Sequence, residues 1–165
     1  MQRQQRNNQK PLFDMFTIVK YFALWILFAL VAYGVKVVVM TALDASPTKQ
    51  VGNGILSLYE VHNTGAAFNL FSNQPEMIIT ASFFAVAVIT FIVLIASGKL
   101  TQSSISAMAF LSAGITMNMM ERINQGYVID YIHCDFLSNF PVFNVPDIMI
   151  VVGALGLILS VLTRK

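Results

Sequence analysis

Two aspartates in the C-terminal half of the chain, Asp130 and Asp147, carry the clearest potential for chemistry. Each lies where an apolar segment meets a polar loop, and ionisable side chains at membrane depth are costly and usually functional. Two carboxylates brought together there would not both ionise readily, and they would titrate as a unit. The charged one can take a proton from water while the protonated one polarises a carbonyl. A helix N-terminus favours Asp147 as the ionised member.

Simpler roles remain open for each aspartate. Asp147 follows Pro146 at the start of an apolar segment, where an acid commonly caps a helix. Asp130 could be a solvated loop acid. Spacing alone does not show that the two carboxylates meet.

A further polar group precedes them. Asn118, Glu121 and Arg122 are spaced i, i+3, i+4, so they share one face of a helix. Facing lipid would be costly, and we expect this face to point into a helix bundle. The alternative role is structural: a Glu–Arg pair and an amide that hold two helices together.

The composition indicates which elements must position these residues. The chain has 165 residues, is 56% hydrophobic and only 11% charged, with a mean hydropathy of +0.69; soluble domains are roughly 45–50% apolar. Apolar segments lie at about 21–41, 77–97, 103–124 and 145–162. We predict one integral membrane domain over residues 1–165, an all-α fold with four transmembrane helices. The first segment is too long for the core of a cleaved signal peptide.

The segments between the helices differ in character. In the region 44–75, turn residues separate the β-tolerant runs ILSLYEVH and AAFNLF, which predicts a small β-sheet on the outer membrane surface. Pro75 and Glu76 open the next helix. The region 125–146 is predicted to be a loop. Lys36, near the far end of the first span, is expected to extend its ammonium to the interface.

Lysine and arginine accumulate in cytoplasmic segments and so indicate orientation. Four spans place both termini on one side, which carries seven basic residues: Arg3, Arg6, Lys10, Lys20, Lys99, Arg164 and Lys165. The opposite side has only Lys49 and Arg122. We therefore expect cytoplasmic termini, with the regions 44–75 and 125–146 on the outer face.

Other features point away from several functions. A net charge of +2 gives no reason to expect nucleic acid. The single cysteine, Cys134, excludes a disulfide within the chain. His62 and His133 are too few and too far apart to predict a metal site. No cofactor is expected, since two carboxylates and water suffice.

Three motifs resemble those of the lipoprotein signal peptidases (signal peptidase II). The first is Asn63-Thr64-Gly65-Ala66-Ala67-Phe68. The second runs from Asn118 through Glu121, Arg122, Gly126 and Val128 to Asp130 and Tyr131. The third is Phe140-Pro141-x-Phe143-Asn144-x-Pro146-Asp147. The resemblance covers nearly the whole chain, and the three motifs are specific together.

The resemblance implies a bacterial inner-membrane aspartyl protease that removes signal peptides from diacylglyceryl-modified prolipoproteins. It implies that Asp130 and Asp147 are the catalytic pair. Residues implied to support the pair or the substrate are Asn63, Gly65, Asn118, Glu121, Arg122, Asn144 and Lys36. The implied partners are lipidated prolipoproteins and membrane lipid, the chain is expected to be a monomer, and the sheet is implied to form an outer-surface cradle.

The chain departs from the family pattern at several positions. Ala32 and Tyr33 stand where an Asp-Gln pair is expected. Glu121 replaces an aspartate, Tyr131 a phenylalanine and Pro146 an alanine. Two alternatives stay open: a catalytically impaired homologue that binds lipidated peptides, and a proton-coupled transporter. Clustering of the acids at one end of the helices counts against the transporter.

Overall fold

The computed structural model describes residues 12–65, 71, 74–137 and 139–163. Its elements, in chain order, are α1 (Met15–Ala45), β1 (Lys49–Val51), β2 (Leu56–Asn63), α2 (Pro75–Ala96), a short 3-10 helix (Ser97–Lys99), α3 (Gln102–Gln125), β3 (Val128–Cys134) and α4 (Val145–Leu162). The predicted fold class is confirmed, with four long helices and a small sheet. Pro75 and Glu76 lie in the first turn of α2, as predicted.

The first helix begins before its predicted span because Asp14 caps it. The Asp14 carboxylate accepts hydrogen bonds from the backbone N–H groups of Phe16 and Thr17, both at 3.2 Å. Such a cap satisfies donors that have no partner within the helix. The helix therefore begins at Met15.

Three of the described helices, α1, α2 and α4, are long and apolar enough to cross a membrane. The third helix in the chain, α3, is more polar, and it contacts each of the other three. Its buried residues include Ser112, Asn118 and Arg122. Polar side chains are tolerated on α3 because they face the protein interior rather than lipid.

The sheet is antiparallel, in the order β1-β2-β3. Its first two strands lie in the region 44–75, as predicted, whereas much of the predicted run AAFNLF lies outside the described residues. The prediction of a loop over 125–146 is wrong for Val128–Cys134. There Gly126, with φ of 82°, ends α3 in the left-handed conformation, and the following β-branched and aromatic residues pair with β2.

Helices α3 and α4 approach closely at two glycines. A Cβ on Gly114 would lie 2.5 Å from the backbone oxygen of Pro146, and one on Gly153 would lie 2.7 Å from the backbone nitrogen of Leu111. Only a residue without a side chain fits at either point. Gly114 lies one turn before Asn118, so this contact brings the N-terminus of α4 beside Asn118.

Candidate active site

Asp130 lies in β3, between two side-chain amides. Its Oδ1 accepts a hydrogen bond from Nδ2 of Asn144 at 2.8 Å, and its Oδ2 accepts one from Nδ2 of Asn63 at 2.9 Å. Asn63 is the last residue of β2, where the register of the sheet places it opposite Val128 and therefore diagonally across from Asp130. Asp130 is 2% exposed. The alternative of a solvated loop acid is therefore wrong, because the residue belongs to a buried strand.

Asp147 lies in the first turn of α4 and forms a capping box with Asn144. The Asn144 side chain accepts the N–H of Asp147 at 2.8 Å, and Oδ2 of Asp147 accepts the N–H of Asn144 at 3.0 Å. Its Oδ1 accepts a hydrogen bond from Nδ2 of Asn118 at 2.7 Å. The capping role considered from the sequence is thus present, and the same carboxylate also reaches α3.

The two aspartates are joined by a short chain of amides. Nδ2 of Asn144 donates both to Asp130 and, at 3.1 Å, to Oδ1 of Asn118, which in turn holds Asp147. Each of the four carboxylate oxygens thus has a donor. β2, β3, α3 and α4 meet at this point, and the cluster brings together Asp130, Asp147, Asn63, Asn118 and Asn144.

Burial dominates the electrostatics of Asp130. It raises the pKa of this carboxyl to about 7, chiefly because the charged form loses its hydration. The hydrogen bond from Asn63 opposes the rise in pKa, the negative charge of Asp147 adds to it, and the positive charge of Arg122 opposes it. Near neutral pH, Asp130 can therefore either hold or release a proton.

Arg122 supports the cluster from α3. It is 7% exposed. Its Nη2 donates to the backbone oxygen of Gly65 at 2.6 Å, and its Nη1 donates to that of Asn118 at 3.3 Å. Gly65 in turn donates its N–H to the side chain of Asn63 at 3.0 Å. Arg122 thereby fixes the loop after β2, and its Nε, also buried, has no hydrogen-bond partner among the described residues.

Glu121 pairs with Lys36 rather than with Arg122. Oε1 of Glu121 lies 2.7 Å from Nζ of Lys36, with both side chains mostly buried. The ammonium of Lys36 is thus paired within the protein, a contact that the sequence did not predict, and the considered Glu121–Arg122 pair is wrong. An opposite charge on α3 holds the ammonium between the helices, and Arg122 is drawn instead to backbone carbonyls.

Sequence reasoning missed the role of Tyr131. Its side chain is 1% exposed, and its hydroxyl accepts the N–H of Val145, the first residue of α4, at 3.4 Å. Burial raises the pKa of Tyr131 to about 12. A tyrosine where the family pattern has phenylalanine was the available signal, because a buried tyrosine hydroxyl usually finds a partner.

Across residues 12–65, 71, 74–137 and 139–163, no group of three histidine, cysteine, aspartate or glutamate side chains could hold a metal ion. Cys134 is a free thiol.

The fold and this cluster define a helical membrane protein with a pair of carboxylates, of which Asp130 is buried and Asp147 is partly buried. A family model for signal peptidase (SPase) II matches residues 24–163. A lipoprotein signal peptidase of Dehalococcoides mccartyi is 34% identical over 125 residues, which cover 73% of this chain and 76% of that protein. One from Lactococcus lactis subsp. cremoris is 35% identical over 133 residues, with coverages of 77% and 83%. The chain therefore belongs to the signal peptidase II family, and it is a bacterial membrane protease of the aspartic type.

Two solved structures share the fold. Both are bacterial membrane enzymes studied by the in meso method, at 2.3 Å and 1.9 Å resolution. The first aligns with a TM-score of 0.75 at 18% identity and covers 93% of this chain and 92% of its own. The second aligns with a TM-score of 0.74 at 17% identity, with coverages of 95% and 99%.

Proposed function

We propose that the chain removes the signal peptide from diacylglyceryl-modified prolipoproteins, cutting the peptide bond before the lipidated cysteine. The observation that carries this proposal is the pair of aspartates joined through Asn144 and Asn118. The carboxylates come from different elements and share hydrogen-bond donors, and burial favours a proton on one of them. The names of the relatives give lipoproteins as the substrate class, and the diacylglyceryl modification is what the motif resemblance implies.

In the proposed mechanism, Asp147 is the base and Asp130 the acid. The N-terminus of α4 and two donors favour the charged form of Asp147. Asp147 takes a proton from water, the hydroxyl adds to the scissile carbonyl carbon, and Asp130 gives its proton to the carbonyl oxygen. The intermediate then collapses, the C–N bond breaks, and the leaving amine takes the proton from Asp147. A carboxylic acid and an amine result, and Asp130 recovers its proton from the collapsing oxygen.

The surrounding polar residues have supporting roles in this proposal. Asn63, Asn118 and Asn144 hold the carboxylates. Arg122 holds the loop at Gly65 beside the site, where an extended substrate can lie against the sheet. The acyl chains of the substrate stay in the bilayer between the helices. No cofactor takes part.

We further propose how the protein lies in its membrane. It is a monomer and a single integral domain in the bacterial inner membrane, with both termini cytoplasmic. The spans are those of α1, α2, α3 and α4, and the aspartate pair lies near the outer face. Cysteines introduced at Ser46 and Thr163 in a Cys134→Ser background test the orientation, because an impermeant maleimide should label only the first in intact spheroplasts. Labelling only at the position of Thr163 would mean that the protein has the opposite orientation.

Cleavage of a diacylglyceryl-modified prolipoprotein by the purified chain in detergent tests the function. Wild-type protein should convert the substrate to a faster-migrating form, and Asp130→Asn and Asp147→Asn should each abolish conversion while remaining folded. Asp44→Asn, at an exposed acid of α1, is the matched control and should cleave normally. If wild-type protein binds the lipidated peptide but leaves it intact, the impaired homologue becomes the better description, as Ala32 and Tyr33 would suggest.

A further inference from the structure

The Lys36–Glu121 pair reaches the aspartate site through the backbone of β3. Oε1 of Glu121 contacts Nζ of Lys36 at 2.7 Å, while Oε2 accepts the N–H of Ile129 at 2.9 Å. Ile129 immediately precedes Asp130 in the same strand. One carboxylate thus connects α1 and α3 with the residue beside Asp130.

β3 has one edge that does not pair with β2, and there the side chain of Glu121 takes the place of a neighbouring strand. On its other edge, β3 pairs with β2, where Ile129 lies opposite His62. Two residues further along, the N–H of Tyr131 is bound by the backbone oxygen of Phe143 at 3.0 Å. For Ile129, the acceptor is instead a side-chain oxygen, Oε2 of Glu121. The position of β3 relative to α3 therefore depends on where this carboxylate is held.

Lys36 holds the carboxylate of Glu121 in place. The ammonium is largely enclosed, as is the carboxylate, and enclosed charged groups are tolerated when they are paired. The position one turn before Lys36 on the same helix is Ala32, which is 1% exposed and packs against Ala113 and Met149. That position offers Lys36 no acid, so Glu121 both neutralises the lysine and binds the strand.

We infer that Lys36 and Glu121 form a positioning pair that fixes β3, and with it Asp130, against α3. This inference rests on the proposed function, in which Asp130 is catalytic. In this role the pair acts through the backbone at Ile129. The pair also affects the charge near Asp130. The groups that face Asp130 are Asp147 from α4, Arg122 and Glu121 from α3, and the Asn63 amide from β2.

Two variants that change the charge of the pair in opposite directions distinguish a positioning role from a simple packing role. Glu121→Gln keeps an acceptor for Ile129 but leaves Lys36 unpaired. Since the Glu121 charge raises the pKa of Asp130, its removal should move the alkaline limb of cleavage to lower pH. Lys36→Met leaves the negative charge unbalanced and should move the limb to higher pH. We expect shifts of at least about half a pH unit, with kcat lowered about tenfold and KM changed less than about twofold.

The double variant Lys36→Met/Glu121→Gln and the control Glu60→Gln complete the experiment. The double variant is neutral at both positions and should return the limb towards that of the wild type. Glu60 pairs with His62 at the exposed surface of β2, and Glu60→Gln should match the wild type throughout. The inference would be overturned if the alkaline limb moved in the same direction in both single variants, or if their pH profiles were identical to that of the control. Cleavage that depends on Asp130 would remain in either case.

A second readout needs no cleavage. The infrared band of the protonated Asp130 carboxyl, identified by its loss in Asp130→Asn, can be titrated in each variant. Its midpoint should fall in Glu121→Gln and rise in Lys36→Met. An unmoved midpoint overturns the positioning pair, even with an active enzyme; a moved midpoint in a protein that cleaves nothing supports the pair and overturns the proposed function instead.

Discussion

The side-chain amide of Asn144 lies 2.8 Å from Oδ1 of Asp130, to which it donates a hydrogen bond. Asn144 is also the N-cap of α4, so the residue that starts this helix holds a carboxylate on a neighbouring strand. It is 1% exposed, and both hydrogens of its amide are used. Capping and bridging are therefore properties of one side chain, and mutation can separate them.

Replacing Asn144 with serine should remove the bridge and keep the cap. Serine caps a helix about as well as asparagine, whereas alanine costs about 1 kcal/mol more. We expect cleavage to fall about 100-fold in both Asn144→Ser and Asn144→Ala, with the alanine variant less stable by roughly 1 kcal/mol. Kinetics and thermal unfolding in detergent measure the two effects. Full activity in Asn144→Ser would show that the amide bridge is dispensable.

The raised pKa of Asp130 predicts a cost in stability at high pH. An unfolded aspartate has a pKa of about 3.9, whereas that of Asp130 is about 7. Between these values the folded state binds more protons, so stability falls as pH rises and levels off above about pH 7, a loss of roughly 4 kcal/mol. Asp130→Asn removes this loss. Its unfolding temperature relative to the wild type should therefore increase from pH 5 to pH 8.

Asp44→Asn is the control for this comparison, because Asp44 is exposed at the end of α1. Its unfolding temperature should follow that of the wild type across the same pH range. A constant difference between Asp130→Asn and the wild type would mean that Asp130 is ionised in the folded protein even at pH 5.

The sequence indicated the helices and the aspartates better than it indicated their connections. Apolar length predicts a helix because the signal is local. The pairing of Lys36 with Glu121 depends on which helices are neighbours, which the helical period does not contain. β3 was missed although Val128, Ile129 and Tyr131 are good strand formers after a glycine. The sequence left a solvated loop acid open as an alternative for Asp130, but pairing with β2 and the Asn63 amide place this residue in a buried strand.

Tyr131→Phe should separate the stability of the α4 terminus from catalysis. The variant loses the acceptor for the N–H of Val145, a hydrogen bond worth about 1 kcal/mol. Since Asp130 and Asp147 keep their own donors, cleavage should change less than about threefold. The unfolding temperature should fall, whereas Tyr33→Phe, at an exposed tyrosine, should leave it unchanged. Unchanged stability in Tyr131→Phe would mean that the hydroxyl does not hold α4.

Gly114→Ala should separate the two aspartates by moving whole helices. A methyl group at Gly114 would lie 2.5 Å from the backbone oxygen of Pro146 and 3.0 Å from Cβ of Met149. Neither neighbour is the flexible end of a side chain, so α4 must shift, at a cost of roughly 1–3 kcal/mol. That shift carries Asp147 away from Asn118. We expect cleavage to fall about 100-fold, measured beside the unfolding temperature.

Gly34→Ala provides the control, because a Cβ on Gly34 would have no neighbour within 4 Å. It lies on α1, and its replacement should leave activity and stability near those of the wild type. If Gly114→Ala loses stability but keeps its activity, the aspartate pair tolerates movement of α4. Close contact between α3 and α4 would then not be required for cleavage. Loss of both is expected, since the hydrogen bond from Asn118 to Asp147 crosses the same interface.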